Sequence, residues 1–92
     1  MKVHSPVVKD DLQKRLRRIE GQVRGVQKML DDDRDCQEII QQLTAVRSAV
    51  HNARLQFLRG YAKECLLQSG DLSGAEQTVM VDDLMKLIAK VE

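Results

Sequence analysis

The sequence predicts an all-α fold of three helices, with a central helix too long for a compact protomer of this size to bury. Three observations carry that expectation. Apolar residues recur at helical three- and four-residue spacings in three blocks. Aromatic residues are limited to Phe57 and Tyr61, while the plentiful Leu, Ala, Gln, Lys and Arg favour helix over strand. Serine, aspartate and glycine signals fall where helices begin and end.

The first helix is expected over about residues 6–31, with Ser5 as N-cap and Pro6 at its first position. Leu12, Leu16, Ile19, Val23, Val26 and Leu30 form a heptad stripe along it. Gly21 and Gly25 lie one turn apart, where another helix could approach closely at some cost in helix propensity. Asp31-Asp32-Asp33-Arg34 breaks the pattern. A second helix, about 36–67, opens with Asp35 as N-cap and Glu38 as its capping-box partner, then runs through Ile39, Leu43, Val46, Val50, Ala53 and Phe57. Gly70 closes this region. Beyond the loop Ser69-Gly70-Asp71-Leu72, a capping box of Ser73 and Glu76 introduces a third helix, about 74–91, whose apolar residues are Met80, Leu84, Leu87 and Val91. No repeat or low-complexity segment stands out, so residues 1–92 read as one domain with a small core that calls for a partner chain.

Composition narrows the function classes. The chain has no apolar run of about 18 residues, and Met1 to Pro6 lacks the apolar stretch of a signal peptide, so a cytoplasmic protein without a membrane partner is expected. In that reducing compartment two cysteines are better read as buried apolar residues, metal ligands or reactive thiols than as a structural disulfide. No phosphate loop or metal-hydrolase motif is present. Neither His4 nor His51 sits on the cysteine face as a base for a nucleophile, and no enzyme is expected.

The two cysteines, Cys36 and Cys65, are 29 residues apart on the second helix. At about 1.5 Å per residue they are roughly 43 Å apart and cannot meet within one chain. Twenty-nine steps of about 100° nevertheless return to within about 20° of the starting direction, and Tyr61 shares that face. Pairing the long helix with its twin about a two-fold axis near Val50 and His51, antiparallel, covers its apolar stripe and brings Cys36 of one chain beside Cys65 of the other. Two equivalent dithiol sites result. Such sites could bind a soft ion such as Cu(I), or form a disulfide or sulfur-bridged link after one thiol is oxidised. Cys36, in a first helical turn, feels the positive end of the helix dipole, opposed by Asp33, Asp35 and Glu38. The plain alternative is that both cysteines are inert packing residues.

The formal charge of +1 hides a segregation. Lys14, Arg15, Arg17, Arg18, Arg24 and Lys28 face a single acid, Glu20, between Gln13 and Leu30, whereas Asp31 to Glu38 is strongly acidic. With Arg47 and Arg54 on the second helix, this gives each protomer basic surface for nucleic-acid phosphates. A solvated helix face serving only solubility is the competing reading.

Arg18-Ile19-Glu20-Gly21-Gln22-Val23, the pair Asp35-Cys36, and Gln41-Gln42-Leu43-Thr44-Ala45-Val46-Arg47 together resemble the signature of the copper-sensitive operon repressor (CsoR) family, whose members sense copper, nickel or cobalt, formaldehyde, or persulfides. The likeness covers nearly the whole chain. It implies an antiparallel dimer assembling into a disc-shaped dimer of dimers, a homotetramer that binds double-stranded operator DNA without a helix-turn-helix and releases it when an inducer occupies a site between subunits. The family's inducer cysteines match Cys36 and Cys65. Matching positions assign DNA contacts to Lys14, Arg15, Arg18 and Arg47.

Departures from the family's patterns sort the inducers. Copper sensors carry a histidine four residues before the second cysteine, where this chain has Tyr61, a phenol with an ordinary pKa of about 10 that binds Cu(I) poorly. Their outer-shell tyrosine is replaced by Asp35, and their third-helix glutamate by Val81 or the nearby Asp82. The several histidines of nickel/cobalt sensors are reduced to His4, in the terminal segment, and His51, near the proposed dyad. The N-terminal proline of formaldehyde sensors is replaced by Lys2. The remaining cysteine pattern is similar to that of the persulfide-sensing repressors, so reactive sulfur is the expected inducer and no cofactor is required. Cu(I) bound by Cys36 and Cys65 is the alternative, and a helical oligomeric adaptor that does not bind DNA is the second.

Overall fold

The computed structural model describes residues 5–68, 70 and 73–91, apart from the side chains of residues 68 and 91. Three helices account for almost all of them: α1 (Pro6–Asp31), α2 (Cys36–Gln68) and α3 (Gly74–Val91). Lys2, His4 and, except for Gly70, the expected loop 69–72 lie outside the described residues.

α1 begins as its sequence suggests. Ser5 is extended, and its Oγ accepts a hydrogen bond from the Val8 N–H at 3.4 Å, with Pro6 following in the first turn. Its end is a Schellman motif. The Asp33 N–H donates to the Leu30 carbonyl and the Arg34 N–H to the Met29 carbonyl, while Asp33 takes the left-handed backbone (φ 53°) that aspartate tolerates better than most side chains. This short turn sends α2 back antiparallel, so that Val8 at the start of α1 packs on Gly60 near the end of α2.

α2 is one unbroken helix of 33 residues. Its first backbone bond runs from the Ile39 N–H to the Asp35 carbonyl. The expected Asp35–Glu38 capping box gives way to an ion pair, because the Glu38 carboxylate accepts from Arg34 Nε at 2.8 Å. α3 has the box expected of it: Ser73 Oγ accepts from the Glu76 N–H and donates to Glu76 Oε1, both at 3.2 Å.

Two expectations for α1 are corrected. The row buried or half-buried against α2 is Val8, Leu12, Arg15, Ile19, Gln22, Val26 and Met29, rotated by roughly 40° from the expected stripe. The two rows share Leu12, Ile19 and Val26, while Leu16, Val23 and Leu30 remain exposed. α1 thus keeps a second, uncovered apolar row beside the one packed on α2. The close helix approach expected at Gly21 and Gly25 is likewise absent within the protomer, since a Cβ at either position would meet nothing within 4 Å. The tight crossing is at Gly60, where a Cβ would lie 2.9 and 3.0 Å from the two methyls of Val8.

The protomer is poorly closed. Its buried residues are Val26, Ala53, Tyr61, Cys65 and Met80, and the last three form a cluster with Val8, Phe57 and Leu84 where α3 folds over the C-terminal half of α2. Ile40, Leu43 and Val50 on α2 stay exposed alongside Leu16, Val23 and Leu30 on α1. For antiparallel helices, 100° steps from the shared contact place both rows on one side of the α1–α2 hairpin. The accessible surface is 7229 Å², against about 5,400 Å² for a compact monomer of this mass. The radius of gyration, 17.8 Å, also exceeds the roughly 12 Å of a compact domain of this length.

Gly60→Ala should lower stability in urea unfolding by about 1–2 kcal/mol, because short branched Val8 must shift. Alanine at Gly21 or Gly25 should stabilise the isolated protomer by about 0.5–1 kcal/mol through helix propensity. A loss of stability there instead would place a partner's helix against that face.

Candidate functional site: two thiols on one face of one helix

Cys36 is exposed at the first residue of α2, and Cys65 is buried near its end. The protomer does not bring them together. Between them, on one heptad row, lie Ile40, Leu43, Arg47, Val50, Arg54 and Tyr61. The first half of this row is bare, whereas the second half is covered by α3 through Met80 and Leu84. Among the described residues no three His, Cys, Asp or Glu side chains converge to hold a metal ion.

Tyr61 sits one turn before Cys65 in the same buried cluster. Its phenol is pushed above its ordinary range chiefly by burial, then by the charge of the Cys65 thiolate and a side-chain hydrogen bond with Cys65, with further contributions from Asp83 and Glu64. Tyr61 is therefore a neutral phenol packed beside Cys65 at physiological pH, and a poor metal ligand. Cys65 by itself supplies one soft donor, so these residues would fit Cu(I) only if a second thiolate were brought to them. The third-helix acid beside this cluster is half-buried Asp83, rather than Val81 or Asp82, both of which are exposed. The signal for Asp83 was its spacing: it lies three residues after Met80 and next to Leu84, on the packed side of α3.

The basic residues are spread out. Lys14 pairs with Asp10 at 3.1 Å and Arg15 with Asp11 at 2.9 Å, the latter arginine half-buried against α2. Among the described residues no ion pair engages Arg17, Arg18 or Arg47, and Arg18 and Arg47 are both exposed. Helical spacing puts Lys14 and Arg18 on the flank of α1 away from Leu16 and Val23, whereas Arg47 sits on the cysteine row. The four expected phosphate contacts are thus not gathered on one face of a protomer. His51 is exposed at mid-α2. Among the described residues no helix is long and apolar enough to cross a membrane.

The protomer defines a class of protein: an all-helical unit with an uncovered apolar row and one thiol near each end of its central helix. Comparisons with known proteins sharpen that class. Residues 8–90 match the family of metal-sensitive transcriptional repressors. The copper-sensing transcriptional repressor CsoR of Bacillus subtilis (strain 168) is 46% identical over 66 residues, which are 68% of this chain and 65% of that protein. The matched stretch thus spans just under two thirds of that relative's length. Among solved structures, the copper-sensing repressor CsoR with Cu(I) from Geobacillus thermodenitrificans NG80-2 superimposes with a TM-score of 0.76 at 36% identity, covering 98% of this chain and 92% of that one. A variant of the formaldehyde-responsive regulator FrmR from Salmonella enterica serovar Typhimurium gives 0.81 at 29% identity, covering 98% and 100%. The chain belongs to the family of metal-sensitive transcriptional repressors.

The raised Tyr61 pKa makes a prediction with a definite sign. The folded value lies above the unfolded one of about 10, so this group's contribution to stability is intact below that pH and is lost as pH rises through the folded value. Phenolate absorbance, which reports on Tyr61 alone because it is the single tyrosine, should titrate with a midpoint above 10. Tyr61→Phe should remove that alkaline loss of stability. A midpoint at or below 10 would contradict the burial and hydrogen bonding described for this phenol.

Proposed function

We propose that this chain is a DNA-binding repressor that leaves its operator when Cys36 becomes bridged to the partner's Cys65, and that reactive sulfur species are the inducer. The observation that carries this reading is the continuity of α2, which holds both thiols on one face with an uncovered apolar row between them. Two copies paired antiparallel would cover Ile40, Leu43 and Val50 and form two dithiol sites.

The difference in exposure supports one order for the chemistry. The exposed Cys36 thiolate attacks the sulfane sulfur of a low-molecular-weight persulfide, RSSH, releasing RSH and leaving Cys36 as a persulfide. The partner's Cys65 thiolate then attacks the sulfur attached to Cβ and expels hydrosulfide, closing a disulfide. The net change, one RSSH and two thiols to one disulfide, RSH and hydrogen sulfide, needs no further oxidant. Tyr61 fits this chemistry better than metal ligation, because it is a neutral phenol buried beside Cys65.

Lys14, Arg15, Arg18 and Arg47 are proposed as phosphate contacts, repeated by the symmetry of a dimer or tetramer. Bridging two α2 helices at opposite ends favours an arrangement in which these contacts no longer match the operator. A coupling of about 3 kcal/mol would weaken binding roughly 150-fold. A second reading, Cu(I) held by the same two thiolates, is favoured by the copper-sensing relative at 46% identity.

Denaturing intact mass spectrometry after persulfide exposure, run beside an anaerobic Cu(I) titration against a strong chelator, separates the readings. Interchain crosslinked dimers are expected. Tight stoichiometric Cu(I) capture with no crosslink would overturn the persulfide inducer in favour of the metal. Serine at Cys36 or Cys65 should leave DNA binding intact and abolish release, and a normally responding Cys36→Ser protein would refute the thiol switch. Arg18→Ala should weaken operator binding and flatten its dependence on log salt concentration by about 0.9 for each phosphate that is no longer neutralised. An unchanged slope would remove Arg18 from the interface.

A further inference from the structure

Cys65 is buried by α3, and α3 is thinly attached. Its packing on α2 runs through Met80 and Leu84, while Val79, Val81, Met85, Leu87 and Ile88 are exposed. Its N-terminal cap is local: Ser73 and Glu76 bond each other. At the other end Arg54 Nη2 donates a 2.6 Å hydrogen bond to the Lys90 carbonyl, in the last turn of α3. The Lys90 carbonyl belongs to the terminal group of acceptors that a helix leaves without internal donors, and a cation there also meets the negative end of the helix dipole. Charge-assisted bonds of this kind are stronger than neutral ones.

We infer that Arg54 is a positioning residue for the sensing site: by fastening the C-terminal turn of α3 it holds Met80 and Leu84 over Cys65 and Tyr61, and so sets how readily Cys65 can be reached. Arg54 lies at the centre of the cysteine row, 18 residues after Cys36 and 11 before Cys65. In an antiparallel pair, the partner's Cys36 must approach the stretch of α2 that α3 covers from Arg54 to Cys65. α3 acts there as a strap, and the thiol beneath it becomes available when the strap opens at its fastened end. This assigns Arg54 a role inside the fold instead of on the phosphate-binding surface to which its charge alone would send it. The functional meaning of the strap rests on the dithiol reading above, whereas its existence does not.

The test is site-resolved alkylation of the reduced, full-length protein by iodoacetamide, with rates at Cys65 and Cys36 read by peptide mass spectrometry and expressed as a ratio. Arg54→Ala should raise the Cys65-to-Cys36 ratio roughly tenfold by favouring local opening of α3. Arg54→Lys and Arg54→Gln, which retain a donor for the Lys90 carbonyl, should stay near the wild-type ratio, a rescue that loss of bulk or general loosening would not give. Should Arg54→Ala lose helical circular dichroism, Arg54→Met keeps the side-chain volume without a donor and should show the same rise. A wild-type ratio in the folded alanine or methionine variant overturns the inference, as does an equal rise in the lysine and glutamine variants. These rates involve neither DNA nor persulfide, so failure here and failure of the bridging chemistry are told apart.

Discussion

Everything in this protein depends on a helix that its own chain cannot cover. α2 is continuous for 33 residues, and its apolar positions recur on a period that presents one face throughout. α3 covers the C-terminal half of that face, α1 takes a neighbouring face, and the N-terminal half is left with Ile40, Leu43 and Val50 in water. At about 25 cal/mol per Å² of apolar surface removed from water, leaving such a row exposed forgoes several kcal/mol. A second copy paired antiparallel, as proposed, would supply the missing cover and at the same stroke carry each thiol to the opposite end of another helix. On the proposed reading, oligomerisation and sensing would both follow from one packing deficit.

The asymmetry of the two cysteines follows from the same arrangement. Cys36 begins α2, outside the cluster where α3 folds over that helix, and is exposed. Cys65 lies under Met80 beside a phenol whose proton is held by burial and by Cys65 itself. One thiol is open to small reagents and the other is sheltered, a division suited to chemistry in which capture of an oxidised sulfur precedes closure of a bridge. Where the resemblance to copper sensors implies an imidazole, this chain carries the phenol of Tyr61.

Much of the architecture was legible in the sequence because it rests on local chemistry. Ser5 with Pro6, and Ser73 with Glu76, mark helix starts through hydrogen bonds made within three residues. The Asp35–Glu38 pattern misled because Arg34 stands four residues from Glu38 and offers it a charged partner. The orientation of α1 was less legible, since its two overlapping heptad rows share Leu12, Ile19 and Val26, and only tertiary contact decides which row meets α2. Gly60 and Asp83 were missed for the same reason: each matters through what another helix brings to it, Val8 in one case and Tyr61 in the other. The common face of Cys36, Tyr61 and Cys65 needed only helical arithmetic, provided α2 did not break.

The most direct measurement uses two single-cysteine proteins, Cys36→Ser and Cys65→Ser, each reduced and then treated with a thiol-specific oxidant alone or after the two have been mixed and allowed to exchange subunits. Antiparallel pairing of α2 predicts that neither variant forms a covalent dimer by itself and that the mixture forms one readily, through Cys65 of the first and Cys36 of the second. Efficient self-crosslinking of either variant, or no crosslinking in the exchanged mixture, would contradict it.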